Sequence, residues 1–146
     1  MTENNTEESA DTWQLCGKTL HSRLLLGTGG MTSIDIMEKS LVASGAEVAT
    51  VAMRRHAKTG VDIYGMLQRH NINVLPNTAG CKTAHDAVLT AKMARESLGT
   101  DWIKLEVIAD DDTLLPDTRE VLLAAEKLIE EGFSLSLIHI SEPTRP

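Results

Sequence analysis

One strand–loop–helix unit decides the fold of this 146-residue chain: residues 73–99 read NVLPNTAGCKTAHDAVLTAKMARESLG. Its short apolar start is typical of a buried strand, and the Asn- and Gly-containing stretch after it is typical of a loop. Apolar positions then recur every three or four residues, which predicts a helix over about 83–98. Thr83 precedes Asp86 by three residues, as an N-cap precedes an acidic partner, and Gly99 follows the helix as a terminating residue does. The unit is therefore a β-strand followed by an α-helix.

The same cycle occurs at least four times along the chain. The predicted strands are Leu24–Gly27, Val48–Met53, Asn73–Leu75 and Trp102–Ile108, and the predicted helices cover about 33–44, 61–70, 83–98 and 117–131. The stripes expected to face a sheet are Ala84, Ala87, Val88, Ala91, Ala94 and Leu98 on the third helix, and Val121, Leu122, Ala125, Leu128 and Ile129 on the fourth. Asp117 precedes Glu120 by three residues, which marks the start of the fourth helix. Before the cycle, the alternating segments Trp13–Leu15 and Lys18–Leu20 predict a short hairpin.

Repeated βα units with right-handed crossovers form a parallel sheet. The sheet is either an open, doubly wound one or part of a closed eight-stranded barrel, and periodicity does not separate the two. A complete barrel takes about 250 residues. On length alone, an open sheet is favoured.

Composition and charge disfavour several classes of protein. The formal net charge is −7 and the sequence pI is about 5.2, so the basic surface that binds nucleic acid is missing. Residues 1–12 are almost devoid of apolar side chains, and we expect a disordered acidic tail there. The chain start lacks the basic and apolar segments of a signal peptide, and Cys16 and Cys81 are far apart in sequence. We therefore expect free thiols, a cytoplasmic location, and neither nucleic acid nor membrane as a partner.

The segment Trp102–Val107 contains the strongest candidates for chemistry. Its alternation places Trp102, Lys104 and Glu106 on one face of a strand and apolar residues on the other. If helices cover the apolar face, the second face points into the interior of a barrel, where an ion pair is costly unless it has a purpose. Lys104 is then a candidate nucleophile for a ketone, and Glu106, about 6–7 Å along the strand, a candidate proton carrier. The alternative is a solvent-facing pair on a half-exposed strand.

Other polar groups follow the predicted strands, where sites of parallel sheets assemble. Gly27–Gly30 is a possible phosphate loop or a simple turn. Arg54–Arg55 is a candidate for anion binding, a solvated pair or a subunit contact, and Asn77–Gly80 either lines a pocket or starts the next helix. The histidines lack the spacing of metal ligands, so we expect no metal site among His21, His56, His70, His85 and His139.

Taken together, several segments closely resemble bacterial thiazole synthases of thiamine biosynthesis. They are SRLLLGTGG at 22–30, VAMRR at 51–55, VLPNTAG at 74–80, DWIKLEVI at 101–108 and LLPD at 114–117. Their order and spacing match as well, and the likeness spans about residues 13–133. That family folds as a (β/α)₈ TIM barrel. The resemblance implies a truncated N-terminal half of such a barrel, with about four βα units after the hairpin.

The resemblance also implies an activity, that of a sulfur-transferring transferase. Lys104 aligns with the lysine that forms an imine (Schiff base) with 1-deoxy-D-xylulose 5-phosphate, and Glu106 with the acid/base group that isomerises the imine. Sulfur comes from a thiocarboxylated sulfur carrier protein, and dehydroglycine completes the thiazole ring. The implied protein needs no cofactor or metal and is a homo-oligomer at full length.

The chain departs from the family pattern at two places. Thr118 follows Asp117 where the family usually has proline. From about Ser134 the chain reads SLSLIHISEPTRP, which resembles translated sequencing-adapter read-through, and we expect residues 134–146 to be non-native. The family's phosphate-binding loops and a second acidic residue belong to the missing half. We therefore expect the isolated chain to be inactive.

Two other functions fit the residues. One is an aldolase-like barrel enzyme that forms a Schiff base with a different sugar phosphate. The other is a non-catalytic open-sheet module that binds phosphate through Gly27–Gly30. The first depends on Lys104, whereas the second does not.

Overall fold

A computed structural model describes residues 11–31, 33–56 and 62–137, without the side chains of Arg55 and His56. The strands are β1 (Trp13–Leu15), β2 (Lys18–Leu20), β3 (Leu25–Gly27), β4 (Val48–Ala52), β5 (Asn73–Asn77), β6 (Trp102–Leu105) and β7 (Ser134–Leu137). The helices are α1 (Ile34–Ser44), α2 (Met53–His56), α3 (Ile63–Arg69), α4 (Ala84–Leu98) and α5 (Thr118–Glu130). Most of the expected acidic tail lies outside the described residues, and within its last two residues Asp11 accepts hydrogen bonds from Arg23 at 2.5 and 2.9 Å.

The strands form an α/β fold with one parallel sheet in the order β3-β4-β5-β6-β7, and β1 pairs with β2 in a separate antiparallel hairpin. The parallel βα pattern and the hairpin predicted from the sequence are both confirmed. β7 was not among the predicted strands. It pairs with β6 from Trp102↔Ser134 to Leu105↔Leu137, because its alternating leucines match the alternation of β6.

All the long helices pack on one face of this sheet. Alanines of α4 and α5 lie against Ile103 and Leu105 of β6, and α1 and α3 pack on a cluster that contains Val51 and Val74. Val51 is opposite Pro76, and Asn77 is opposite Lys104, so these two apolar clusters lie on the same side of the sheet. Within the described residues, the two-sided helix covering of a doubly wound sheet is not seen.

The hairpin covers the other face at the amino-terminal ends of the strands. Leu20 packs there with Val48, Leu75 and Trp102 in a buried cluster, and Trp13 and Leu15 lie against it. The carboxylate of Glu47 accepts the backbone N–H groups of His21 and Ser22 at 2.5 and 2.8 Å. The pKa of Glu47 is lowered, first by the backbone N–H of Ser22 and then by that of His21. This carboxylate therefore joins the end of the hairpin to the start of β4.

The helix boundaries follow the predicted caps. The Thr83 hydroxyl accepts the N–H of Asp86, and the Asp117 carboxylate accepts those of Arg119 and Glu120. Gly99 ends α4 with φ of 62°. None of the helices in the described ranges is long and apolar enough to cross a membrane.

Several details of the sequence prediction are wrong. One is the end of β5, which was expected at Leu75 and lies at Asn77. Leu122 and Ile129 are 65% and 62% exposed, because α5 turns a narrower stripe to the sheet, centred on Ala124 and Leu128. Met53 starts α2 instead of ending β4. β6 ends at Leu105, because the chain beyond it bonds to the loop after β5 and not to a strand.

Candidate functional site

Lys104 in β6 and Glu106, which follows the end of β6, lie on the side of the sheet that the helices leave uncovered. Ile103, Leu105 and Val107 are at most 1% exposed and belong to the cluster beneath α4 and α5. Lys104 and Glu106 are both half-buried. The strand therefore separates the two side chains from the helix core, as its alternation predicts.

An apolar layer and a polar row surround Lys104. Trp102 and Leu75 lie on the same face, two residues nearer the hairpin, and pack with Leu20 of the hairpin. At the level of Lys104 itself, the register places Asn77 of β5 on one side and Ser136 of β7 on the other. The backbone of Lys104 thus lies beside Asn77, two residues from the apolar layer, and Ser136 belongs to the segment expected to be non-native.

Thr78, which directly follows β5, holds the backbone of both candidate residues. Its N–H donates to the Lys104 carbonyl at 3.2 Å. Its hydroxyl donates to the Glu106 carbonyl at 2.7 Å and accepts the Glu106 N–H at 2.8 Å. The residue is fully buried.

The loop after β5 is held at further points. The carbonyl of Cys81 accepts the N–H of Ile108 at 3.0 Å, which extends the contact between the two chain segments past the strands. The Arg54 guanidinium donates to the Gly80 carbonyl at 2.6 Å. Arg54 thus contacts a loop at the carboxyl ends of the strands, which was not among the three alternatives given for it, and those alternatives stay untested. The side chain of Arg55 lies outside the described part.

The loop after β6 is acidic and internally bonded. Asp110 accepts the N–H of Asp112 at 3.0 Å and the hydroxyl of Thr113 at 3.1 Å. Its pKa is lowered, first by the Asp112 N–H and then by the Thr113 hydroxyl. Lys82 pairs with Asp111 at 2.6 Å, so this loop is also joined to the one after β5.

The remaining candidates lie apart from Lys104. Thr28, within the possible phosphate loop Gly27–Gly30, is buried and donates from its hydroxyl to the carbonyl of Thr50 at 2.8 Å. His21 and His70 contact Glu47 and Glu38 at 3.3 and 2.6 Å, and the pKa of Glu38 is lowered, first by its hydrogen bond to His70. Among the described residues, no three acidic, histidine or cysteine side chains form a cluster able to hold a metal.

Cys16 is exposed, Cys81 is buried, and both are free thiols.

A cleft of about 660 Å³ opens on the helix face between α3 and α4, lined by apolar residues that include Leu67 and Met93. It lies on the opposite side of the sheet from Lys104. The cleft and the sequence candidates Lys104 and Glu106 are therefore separate features of the fold.

Comparison with known families matches residues 14–143 to the thiazole biosynthesis protein ThiG. The chain belongs to the ThiG family. This membership connects the chain with thiazole biosynthesis and agrees with the resemblance of its segments. The match continues past Ser134, and the non-native origin of residues 134–146 stays a prediction.

A solved structure with the same fold comes from Amycolatopsis orientalis, the BexX/CysO complex. Its matching chain is 23% identical to this one, with a TM-score of 0.69 over 85% of this chain and 52% of that one. At this identity the likeness supports the fold alone. The ThiG-family chain described here thus spans about half the length of that relative.

The sequence analysis of this ThiG-family chain named the segments Gly27–Gly30 and Asn77–Gly80 but did not predict the structural role of their buried threonines, Thr28 and Thr78. Thr28 and Thr78 each directly follow a strand, and each is followed two residues later by glycine, in GTGG at 27–30 and NTAG at 77–80. This repeated pattern was the available signal. Their partners were not visible, because they depend on which strand lies beside each loop.

Proposed function

We propose that the protein is a thiazole synthase, a transferase that forms the thiazole phosphate moiety of thiamine. Its substrates in this proposal are 1-deoxy-D-xylulose 5-phosphate, dehydroglycine and the sulfur of a thiocarboxylated sulfur carrier protein. Membership of the ThiG family supports the pathway. The observation that carries the proposed chemistry is the position of Lys104 and Glu106 on the uncovered sheet face.

Lys104 is the nucleophile in this proposal. Its neutral amine attacks the ketone carbon of the sugar phosphate, and the resulting carbinolamine loses water to give an imine. Trp102 and Leu75 form an apolar layer on the same sheet face, two residues nearer the hairpin. Asn77 is opposite Lys104 in the register.

Glu106 is the acid/base group. A protonated imine draws electrons from the adjacent carbon and makes its proton easier to remove. Glu106 takes that proton and returns one to the neighbouring atom, which moves the double bond along the sugar. Its place two residues after Lys104, on the same face, suits this transfer.

The proposal extends to architecture and partners. Helices on one face and an unreversed strand order support half of a (β/α)₈ barrel with the site at the carboxyl ends of its strands. The structural relative was solved as a complex with CysO, which supports a sulfur carrier protein as partner. We also propose a homo-oligomer in the cytoplasm for the full-length protein.

Borohydride trapping tests the nucleophile. The native reading frame that contains residues 13–133 is incubated with 1-deoxy-D-xylulose 5-phosphate and borohydride, and the adduct is located by mass spectrometry. We expect the adduct on Lys104, its loss in Lys104→Ala, and its retention in Lys82→Ala, a control lysine paired with Asp111. An adduct with only a different sugar phosphate would favour an aldolase-like enzyme. Phosphate binding without any adduct, unchanged in Lys104→Ala, would favour a binding module.

The tail and the isolated chain are tested separately. Sequencing the source DNA past the codon for Phe133 should reveal a different continuation with further strand–helix units. A frame that ends at Pro146 contradicts the non-native origin of residues 134–146. We expect the purified 146-residue chain to form no thiazole, since it spans about half of its solved relative; thiazole formation by this chain refutes that expectation.

A further inference from the structure

Glu106 lies just beyond the last residue of β6, where the ladder of the sheet no longer holds the chain. β6 ends at Leu105, and β5 ends at Asn77, directly opposite Lys104. At a strand end, backbone N–H and C=O groups lose their regular partners and must find others when buried. The orientation of Glu106 therefore depends on what replaces the ladder.

The Thr78 hydroxyl is that replacement. It accepts the Glu106 N–H at 2.8 Å and donates to the Glu106 C=O at 2.7 Å. One buried oxygen thus satisfies both backbone groups of the same residue, and the Thr78 N–H holds the Lys104 carbonyl as well. The hydroxyl fixes the backbone from which the Glu106 carboxylate projects, without occupying the face where substrate would bind.

We propose that Thr78 is a positioning residue for the proton transfer assigned to Glu106. This inference rests on the proposed function and adds to it the group that orients the acid/base residue. Threonine is required for its hydroxyl, because valine has the same shape but leaves the Glu106 N–H and C=O unpaired. An error of about 1 Å in the position of a catalytic group lowers a rate by about 100-fold.

Two readouts separate positioning from a loss of folding. Imine formation is measured by borohydride trapping at Lys104, and proton transfer is measured by uptake of solvent deuterium at the substrate carbons next to the imine. In the native reading frame that contains residues 13–133, Thr78→Val should lower deuterium uptake by about 100-fold while trapping falls far less. Thr78→Ser, which retains the hydroxyl, should restore uptake.

Ser44 supplies the matched control. Its hydroxyl also bridges two backbone groups, because it donates to the Leu41 carbonyl at 2.8 Å and accepts the Ala46 N–H at 3.2 Å, at the end of α1. Ser44→Ala therefore removes a similar bridge away from β6. It should leave the ratio of deuterium uptake to trapping unchanged.

Hydrogen exchange of the unaltered protein and of Thr78→Ser provides a measurement that does not need Thr78→Val to fold. The Glu106 amide should be protected in both, although it lies past the end of β6. The positioning role is overturned if the Glu106 amide exchanges without protection. It is also overturned if Thr78→Val leaves the ratio of deuterium uptake to trapping unchanged, or if Thr78→Ser does not restore deuterium uptake. Absence of any adduct in the unaltered protein instead overturns the proposed function, and the role of Thr78 in catalysis with it.

Discussion

Substitution of Leu20 by alanine tests whether the hairpin covers the sheet face beneath Lys104. Leu20 is 2% exposed and packs with Val48, Leu75 and Trp102. Leu20→Ala removes three buried carbon groups, at about 0.8 kcal/mol each, or about 2.4 kcal/mol in total. A cavity that does not collapse raises the loss to as much as about 5 kcal/mol. The melting temperature should fall by about 5–10 °C for the first contribution alone.

The loss is measured as the change in the free energy of urea unfolding, followed by circular dichroism. The slope of the transition should stay the same, since the same surface is exposed on unfolding. Leu115→Ala is the control, because Leu115 is 58% exposed, and it should change stability by no more than about 0.5 kcal/mol. A Leu20→Ala loss equal to that of the control would refute the covering role of the hairpin.

Substitutions at two further positions test contacts outside the candidate site. The folded pKa of Glu47 lies below its ordinary value of 4.5, so its contribution to stability is present above that value and is lost as pH falls through the folded pKa. Glu47→Gln should therefore weaken the decrease of the urea midpoint between neutral pH and about pH 3. The same decrease in the variant and in the unaltered protein would contradict this. Asp117→Ala removes the acceptor for the N–H groups of Arg119 and Glu120 and should lower the free energy of unfolding by about 0.5–2 kcal/mol. Asp117→Asn retains a capping oxygen and should lower it less. Equal losses in the two variants would show that capping is not the cause.

Much of the fold was predictable because it follows from local periodicity. Alternation on β6 and three- or four-residue spacing on α4 determine which side chains face the core, and both are visible in the sequence. The predicted apolar stripe of α5 is wider than the stripe that packs on the sheet. At about 100° per residue, Leu122 lies about 140° and Ile129 about 120° from the direction midway between Ala124 and Leu128, and that difference decides exposure.

The candidate site was predictable only in part, for a different physical reason. The shared face of Lys104 and Glu106 follows from alternation within one strand. The contacts of Thr78, Arg54 and Glu120 connect segments far apart in sequence and require the register of the sheet. Glu120 illustrates this: its carboxylate accepts the N–H of Ala84 at the start of α4 at 2.6 Å, although its place in sequence suggests a bond within its own helix.

The two buried threonines lie where the parallel ladders are shortest. β4 and β5 pair along five residues, β3 and β4 pair along three, and the pairing of β5 with β6 consists of Asn77↔Lys104. Thr28 joins the end of β3 to β4, and Thr78 joins the end of β5 to β6. Side-chain hydrogen bonds thus stabilise the two pairs of strands that have the fewest backbone pairings. We therefore expect the strands to open together, as one cooperative unit, instead of fraying from the edge.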